Sequence, residues 1–229
     1  MTELELMNII EDCCPELENE DFCQDTSYEY VDRYLLKQDP KLAFYSATGA
    51  SKYVITLPDV NWVLKIPFYG TMLEEYNEET DEYEWVYSEF DNAVMGEDWT
   101  GSDYCSAEVY YWQQAAQYGL AKCFAKTEYI GTIRNTPIYR QEKAMIYDEI
   151  YHHEYEEDFL EYIADLCSSV DGYCFSRTWL ADFYIYYGEE KLFTLMRFLQ
   201  TYHINDLHSG NYGYIKGRPV LTDYSDFQS

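Results

Sequence analysis

Basic residues are scarce in this chain. Its 229 residues include 15 Lys and Arg against 43 Asp and Glu, a formal net charge of −28. No Lys or Arg occurs before Arg33, between Lys65 and Lys122, or between Lys143 and Arg177. Such a field repels nucleic-acid backbones, so we expect no direct binding of DNA or RNA. Three interpretations of the acidity remain: solubility or a salt-adapted host, attraction to a basic partner, or mimicry of a nucleic acid.

Long apolar segments and paired cysteines are also lacking. The N-terminus reads Met1-Thr2-Glu3-Leu4-Glu5, with acidic residues where a signal peptide carries positive charge. The 7 cysteines form no C-x-x-C pair and no zinc-ligand spacing. An odd cysteine count without an export signal predicts reduced thiols in the cytoplasm, and no association with a membrane.

Aromatic residues are abundant instead. The hydrophobic fraction of 47% includes 27 tyrosines, so we expect a core rich in aromatic rings. A chain of 229 residues suits one large domain, or two lobes with a shared core.

The C-terminal stretch has the pattern most indicative of chemistry. Asp206 begins Asp-Leu-His-Ser-Gly-Asn, which ends at Asn211. Residues 212–215 and 220–222 are predicted strands of a hairpin, with a turn at 216–219. The hairpin ends at Asp223, so we expect Asp223 to lie beside the loop that carries Asp206.

This order resembles the catalytic core of the protein kinases and, more closely, of the aminoglycoside-phosphotransferase-like kinases. The resemblance implies that Asp206 orients or deprotonates an acceptor hydroxyl, and that Asn211 and Asp223 coordinate Mg²⁺. His208 matches the His of a D-L-H-x-x-N form that is common in the phosphotransferase branch. His203 departs from the kinase pattern by its spacing, and Tyr224 replaces the Phe of a D-F-G tripeptide.

Upstream segments resemble the nucleotide-binding parts of the same families. Lys65, within the predicted strand 63–67, matches the lysine that contacts ATP phosphates. Predicted strands at 42–45 and 53–57 are joined by residues 46–52, which resemble a phosphate-covering loop with Gly49 as its one glycine. A helix over 106–116 is predicted, with Asp103 or Ser102 as its cap and Gly119 as its end.

The resemblance also implies an ion pair for that helix and an adenine contact after the strands that follow it. Glu108 would pair with Lys65, and Glu89 is the alternative. Strands are predicted at 123–131 and 136–142, followed by a connection that includes Glu142 and meets adenine through backbone groups. Helices are predicted at 158–167, 178–187 and 189–202.

The expected fold is therefore α+β and kinase-like, with two lobes. We assign 1–40 to an acidic N-terminal helical segment and 41–143 to a small lobe with an antiparallel sheet and one helix. An acidic insertion at 70–104 is expected to be partly ordered, since Tyr, Trp and Phe are interleaved with its acids. Residues 144–229 would form a reduced, mostly helical large lobe, since an activation segment is missing after Asp223.

The function expected from the resemblance is transfer of a phosphoryl group from ATP, with Mg²⁺, to an unknown acceptor. The alternative is a catalytically degenerate kinase-like protein. In that case the acidic surface would inhibit a basic partner protein or imitate nucleic acid, in the manner of phage-encoded inhibitors.

Overall fold

Helices and antiparallel strand pairs are mixed along the chain, which is an α+β protein. The computed structural model describes residues 4–5, 7–8, 11, 46–48, 51–56, 60–68, 70–77, 80–89, 103–133, 136–147, 153–167 and 175–225. The described residues before 12 are helical, and the rest of the predicted N-terminal segment 1–40 lies outside the described ranges. No helix in these ranges has the length and apolarity needed to span a membrane.

The strands are β1 (Ser46–Thr48), β2 (Lys52–Thr56), β3 (Trp62–Pro67), β4 (Gly70–Asn77), β5 (Glu82–Glu89), β6 (Thr127–Ile133), β7 (Thr136–Glu142), β8 (Met145–Ile146), β9 (Tyr212–Ile215) and β10 (Arg218–Leu221). The α-helices are α1 (Tyr104–Gln117), α2 (Glu157–Cys167), α3 (Arg177–Tyr187) and α4 (Glu189–Thr201). Two 3₁₀ turns are η1 (Ala121–Cys123) and η2 (Ser209–Asn211).

The chain divides into two compact units. Unit 1 comprises Met1–Val94, Thr100–Ser106 and Glu128–Gln141, and unit 2 comprises Met95–Trp99, Ala107–Thr127 and Glu142–Ser229.

A five-stranded sheet in the order β1-β2-β3-β7-β6 forms the framework of unit 1. The predicted lysine strand is confirmed as β3, at the centre of this sheet. The prediction of a loop over 46–52 is wrong at both ends, because β1 occupies Ser46–Thr48 and β2 begins at Lys52. Ser, Ala and Thr give no apolar alternation, and main-chain pairing of Ala47 with Val54 makes this segment a strand. The predicted strand 42–45 lies outside the described residues.

The acidic insertion contains a regular hairpin that the sequence analysis did not predict. Strands β4 and β5 pair antiparallel from Gly70–Glu89 to Asn77–Glu82 and form a separate two-stranded sheet. Alternation of Glu and aromatic residues over 82–85 fits the period of a strand. The many acidic residues of the insertion made this alternation hard to recognise in the sequence.

The start and end of α1 follow ordinary capping chemistry. Asp103 Oδ1 accepts a hydrogen bond from the Ser106 amide at 2.8 Å, which confirms Asp103 as the cap. Burial raises the pKa of the Asp103 carboxyl, although the hydrogen bond from Ser106 opposes that shift. Gly119 has φ +68° and terminates the helix, as predicted.

Unit 2 combines α2, α3 and α4 with a three-stranded sheet in the order β10-β9-β8. All three helices were predicted to within a few residues. Trp179 of α3 is fully buried, and its ring lies 4.9 Å from that of Tyr212 on β9. A large apolar side chain buried in this way contributes about 1.5–3 kcal/mol to the free energy of unfolding.

A Cβ at Gly213 would lie 2.0 Å from the Met145 carbonyl oxygen, so the β8–β9 pairing requires glycine there.

The hairpin β9–β10 closes through a turn that is tighter than predicted. Lys216 and Gly217 both have positive φ, +53° and +78°. These values are typical of a two-residue hairpin turn matched to strand twist. The predicted turn over 216–219 is therefore too long, because Arg218 and Pro219 already pair with Ile215 and Tyr214 in β10.

Candidate functional site

The loop that carries Asp206 begins at a well-defined helix end. After α4, the Ile204 amide donates to the Leu199 carbonyl at 3.0 Å and the His203 amide donates to the Gln200 carbonyl at 3.3 Å. These two bonds define a Schellman turn, whose C′ residue has left-handed backbone. His203 occupies that position with φ +53°. His203 therefore ends α4.

Two buried side chains hold the next part of the loop. Ile204 and Leu207 are almost completely buried, whereas Asn205 and Asp206 between them face solvent. The side chain of Asp206 is 43% exposed. A fixed backbone therefore presents an accessible carboxylate, which a general base or hydroxyl-orienting group requires.

Asn211 connects the loop to the hairpin. Its Nδ2 donates to the Asp206 carbonyl oxygen at 2.6 Å, and its own carbonyl accepts from the amides of Thr222 at 2.8 Å and Asp223 at 3.2 Å. Within the described part of the chain, no donor is directed at Oδ1 of Asn211. Asn211 is buried. The three residues that the sequence analysis grouped are therefore brought together, and an amide oxygen remains available as a ligand.

His208 supports the loop through a hydrogen bond to the loop's own backbone. Its Nδ1 accepts a hydrogen bond from the Gly210 amide at 3.1 Å, which caps η2. A neutral imidazole that accepts at Nδ1 carries its proton on Nε2. That Nε2 lies 4.0 Å from Asp206 Oδ1, which is beyond a direct hydrogen bond.

The segment after β10 is anchored at Asp223 and at Tyr224, the residue that follows it. Ser225 Oγ donates to Asp223 Oδ1 at 3.1 Å. Tyr224 is fully buried: its ring meets Phe124 edge to face at 4.9 Å, and its hydroxyl donates to the Ala125 carbonyl at 2.7 Å. The Tyr224 hydroxyl therefore helps to fix the backbone beside Asp223.

Glu108 reaches the same anchor through one threonine. Its side chain has 0% exposure, and its Oε2 accepts from Thr127 Oγ1 at 2.9 Å. Thr127 Oγ1 lies 3.2 Å from the Tyr224 hydroxyl. Because α1 begins at Tyr104, Glu108 stands in the second turn of the helix. Its predicted partner Lys65 belongs to unit 1, whereas Glu108 belongs to unit 2. The pairing of these two residues stays a prediction.

The described part of unit 1 contains two buried lysines. Lys65 is 4% exposed and Lys52, which the sequence analysis did not single out, is 1% exposed. Lys52 pairs with Pro67 and Val54 pairs with Lys65, so both lysines lie on one face of the sheet in a diagonal arrangement. The sequence Lys-Tyr-Val-Ile-Thr of β2 does not alternate polar and apolar residues, so no spacing marked Lys52.

Three predicted residues remain: Glu142, Gly49 and Glu89. Glu142 ends β7; its amide donates to the Lys126 carbonyl at 3.0 Å, and its Oε2 accepts from the Lys126 amide at 3.1 Å. The Glu142 carboxylate also lies 3.5 Å from a guanidinium nitrogen of Arg218. Gly49 lies outside the described residues. Glu89, the alternative to Glu108, ends β5.

A second polar cluster in unit 2 was not predicted. Asp182, buried on α3, accepts from the Tyr155 hydroxyl at 2.5 Å and from the Tyr214 hydroxyl, and His153 Nδ1 lies 3.0 Å away. Burial, followed by the hydrogen bond to Asp182, raises the pKa of Tyr155 and of Tyr214. These phenols therefore remain protonated donors, and the cluster ties α3 to β9.

The oxygen ligands near Asp206 suit a metal ion that is held partly by protein side chains and partly by the phosphates of a substrate. The described residues contain no group of three or more His, Cys, Asp and Glu side chains placed to hold a metal ion. Mg²⁺ is usually held by one or two carboxylates together with substrate phosphates and water. The Asn211 amide oxygen and the Asp223 carboxylate fit that pattern, and would not form a closed cage of protein ligands.

Comparison with known proteins adds no family assignment: no protein-family model, curated protein or solved structure matches the chain. The structure therefore defines an α+β protein with an acidic loop-and-hairpin site, and the interpretation of that site depends on its own geometry.

Proposed function

We propose that this protein is a kinase-like phosphotransferase that uses ATP and Mg²⁺. The observation that supports the proposal most is the position of Asn211. Its side chain binds the backbone of Asp206, and its backbone binds the amide of Asp223. These bonds link the backbones of Asp206 and Asp223 through Asn211, and such a link would keep the two carboxylates and the amide oxygen close to one another, as phosphoryl transfer requires.

Each of the three side chains has a distinct role in the proposal. Asp206, the most solvent-accessible, would orient or deprotonate the acceptor hydroxyl. Asn211 and Asp223 would hold Mg²⁺, which neutralises phosphate charge when bound. The acceptor is a hydroxyl-bearing molecule of unknown identity.

The proposal includes a two-lobed fold and a nucleotide contact from Lys65. Support comes from the order of the elements: a strand pair, the lysine strand β3, a helix with buried Glu108, a second strand pair, helices, the loop, and the hairpin before Asp223. Glu142 would stand in the connection that meets adenine through its backbone. Glu108 would act as a positioning residue.

Replacement of Asp223 by Asn tests the metal and nucleotide assignment. Asn preserves the shape of the side chain and an acceptor for Ser225, but removes the charge. A ligand at 100 times its Kd stabilises by about 2.7 kcal/mol, and each kcal/mol shifts Tm by roughly 2–4 °C for a domain of this size. We expect ATP with Mg²⁺ to raise the Tm of the parent chain, and to leave the Tm of Asp223→Asn unchanged.

The matched control is Asp158→Asn, which removes an exposed carboxylate from the first turn of α2. This variant should respond to ATP and Mg²⁺ as the parent does. Asp206→Asn should retain the Tm shift and lose slow ATP hydrolysis, because it alters the acceptor side alone. A Tm shift of equal size in Asp223→Asn, or no shift in the parent, would contradict the proposal.

A second candidate function follows from the composition. The excess of 43 acids over 15 bases favours a binding protein whose acidic surface inhibits a basic partner. In that case Asp206→Ala would leave inhibition of the partner unchanged, and salt would weaken it.

A further inference from the structure

The hairpin β4–β5 exposes an unusual number of large apolar side chains. The exposed ones are Leu73, Tyr76, Tyr83, Trp85 and Val86. Single exposed apolar residues are ordinary, but a contiguous group marks an interaction surface. The hairpin belongs to unit 1, and none of its residues takes part in the proposed nucleotide site.

The strand register places the aromatic residues on one face. Tyr76 pairs with Tyr83, and Glu74 pairs with Trp85. Directly paired residues share a face, and residues two apart along a strand share it too. Glu74, Tyr76, Tyr83 and Trp85 therefore form one continuous surface, which we call the aromatic face.

The opposite face differs in composition. There Leu73 pairs with Val86 and Glu75 pairs with Glu84. The Glu84 carboxylate accepts hydrogen bonds from Asn77 at 3.0 Å and Thr80 at 3.3 Å. The pairs Leu73–Val86, Glu75–Glu84 and Asn77–Glu82 of this face include no aromatic ring, and the Glu84 carboxylate is engaged within the hairpin.

The aromatic face is accessible and partly preorganised. Trp85 is 63% exposed, Tyr83 66% and Tyr76 50%. The rings of Tyr76 and Tyr83 meet edge to face at 5.3 Å. The Tyr76 hydroxyl donates to Asp81, and that hydrogen bond raises the pKa of Tyr76. The Tyr76 ring is thereby held at its outer end as well as its base.

The described charged side chains of the hairpin itself are all acidic. Glu74, Asp81 and Glu82 are exposed on the hairpin, and no Lys or Arg occurs between Lys65 and Lys122. The face of an aromatic ring is itself electron-rich. A ligand for this surface must therefore be cationic and must also offer a flat or apolar surface to the rings.

We propose that the aromatic face binds an arginine-rich segment of a partner protein. A guanidinium stacks on Trp and Tyr rings and forms two parallel hydrogen bonds to a carboxylate, and this surface offers both interactions at Trp85 and Glu74. Lysine offers charge but no planar group. A second copy of this chain would bring like charge, and nucleic acid would be repelled.

The test uses the full chain and a fluorescein-labelled peptide of alternating Arg and Gly, with binding followed by fluorescence anisotropy. A Lys–Gly peptide of equal length and charge is the comparison probe. We expect the Arg peptide to bind more tightly than the Lys peptide. We also expect Trp85→Ala to weaken binding of the Arg peptide at least about tenfold, as for an aromatic hot spot.

Neighbouring residues that point in opposite directions give matched controls. Val86→Ala removes an exposed apolar side chain from the opposite face, and should leave the Kd for the Arg peptide nearly unchanged. Glu74→Gln and Glu75→Gln change the net charge equally, but only Glu74 lies on the aromatic face. We expect Glu74→Gln to weaken binding several-fold more than Glu75→Gln does, and this pair keeps the test valid if Trp85→Ala fails to fold.

Three results would overturn the proposal. They are equal affinity for the Arg and Lys peptides, equal effects of Glu74→Gln and Glu75→Gln, and sedimentation of the parent as a dimer that Trp85→Ala dissociates. The first two would indicate attraction by charge alone, and the third would indicate a second copy as the occupant. Asp223→Asn should bind the Arg peptide as the parent does, so failure of this proposal can be distinguished from failure of the nucleotide proposal.

Discussion

The hydroxyl of Tyr224 is the one group by which this residue differs from a phenylalanine. It donates to the buried Ala125 carbonyl at 2.7 Å and lies 3.2 Å from Thr127 Oγ1. A buried carbonyl that loses its donor costs more than the net value of a hydrogen bond between solvated groups. The hydroxyl therefore helps to fix the backbone next to Asp223.

Replacement of Tyr224 by Phe should lower the free energy of unfolding by about 1–2 kcal/mol, because the Ala125 carbonyl loses its donor and stays buried. Urea unfolding followed by circular dichroism measures the change. Tyr186→Phe is the control: this tyrosine is exposed, so its change should stay within about 0.5 kcal/mol. Similar small effects for both variants would show that the Tyr224 hydroxyl is not a structural anchor.

Among individual residues, the sequence could predict those whose neighbours are local in the chain. Asp206, Asn211 and Asp223 lie in one loop and the adjoining hairpin, so spacing and turn chemistry were sufficient to group them. Asp182 could not be found in this way. Its partners lie 27 to 32 residues away, and an isolated Asp within an apolar helix has no local signal for burial.

Among the elements, the helices of unit 2 and the hairpin β9–β10 could be predicted because apolar periodicity and turn residues agree there. The hairpin β4–β5 could not, because Glu residues at strand positions are typical of loops. Its strands pair mainly with each other, so burial against a core did not impose the usual apolar face. The strand β1 was missed for a related reason: main-chain pairing, not side-chain pattern, forms it.

The end of α4 contains a residue that is poorly suited to its backbone. His203 has φ +53° in the Schellman turn, where glycine avoids the contact between Cβ and the carbonyl oxygen. His203→Gly should therefore raise the free energy of unfolding by roughly 0.5–1 kcal/mol. Urea unfolding of this variant and the parent provides the comparison.

The control for His203→Gly is the same change one turn earlier. Gln200 is exposed within α4, where glycine should destabilise by about 1 kcal/mol relative to a good helix former. Opposite signs for His203→Gly and Gln200→Gly are expected. Destabilisation by both variants would show that the His203 imidazole contributes contacts that outweigh its backbone cost.

At the scale of the whole molecule, the net charge of −28 has opposite long-range effects on the approach of the two proposed ligands. A complex of Mg²⁺ with ATP is anionic and must approach a negative field, whereas an arginine-rich segment is drawn toward it. Short-range contacts decide whether either ligand binds. The long-range field decides how each affinity responds to salt.

The Kd for ATP with Mg²⁺ should therefore fall as salt rises. Between about 20 mM and 150 mM KCl the Debye length shortens from roughly 20 Å to 8 Å, so repulsion from distant carboxylates is screened. Over the same range the Kd for the Arg peptide should rise, because its attraction is screened. Calorimetric titrations at both salt concentrations measure these changes, with uncharged adenosine as a control that should show little dependence. An affinity for ATP that weakens with salt would indicate that local cations, such as Lys65, dominate over the acidic surface.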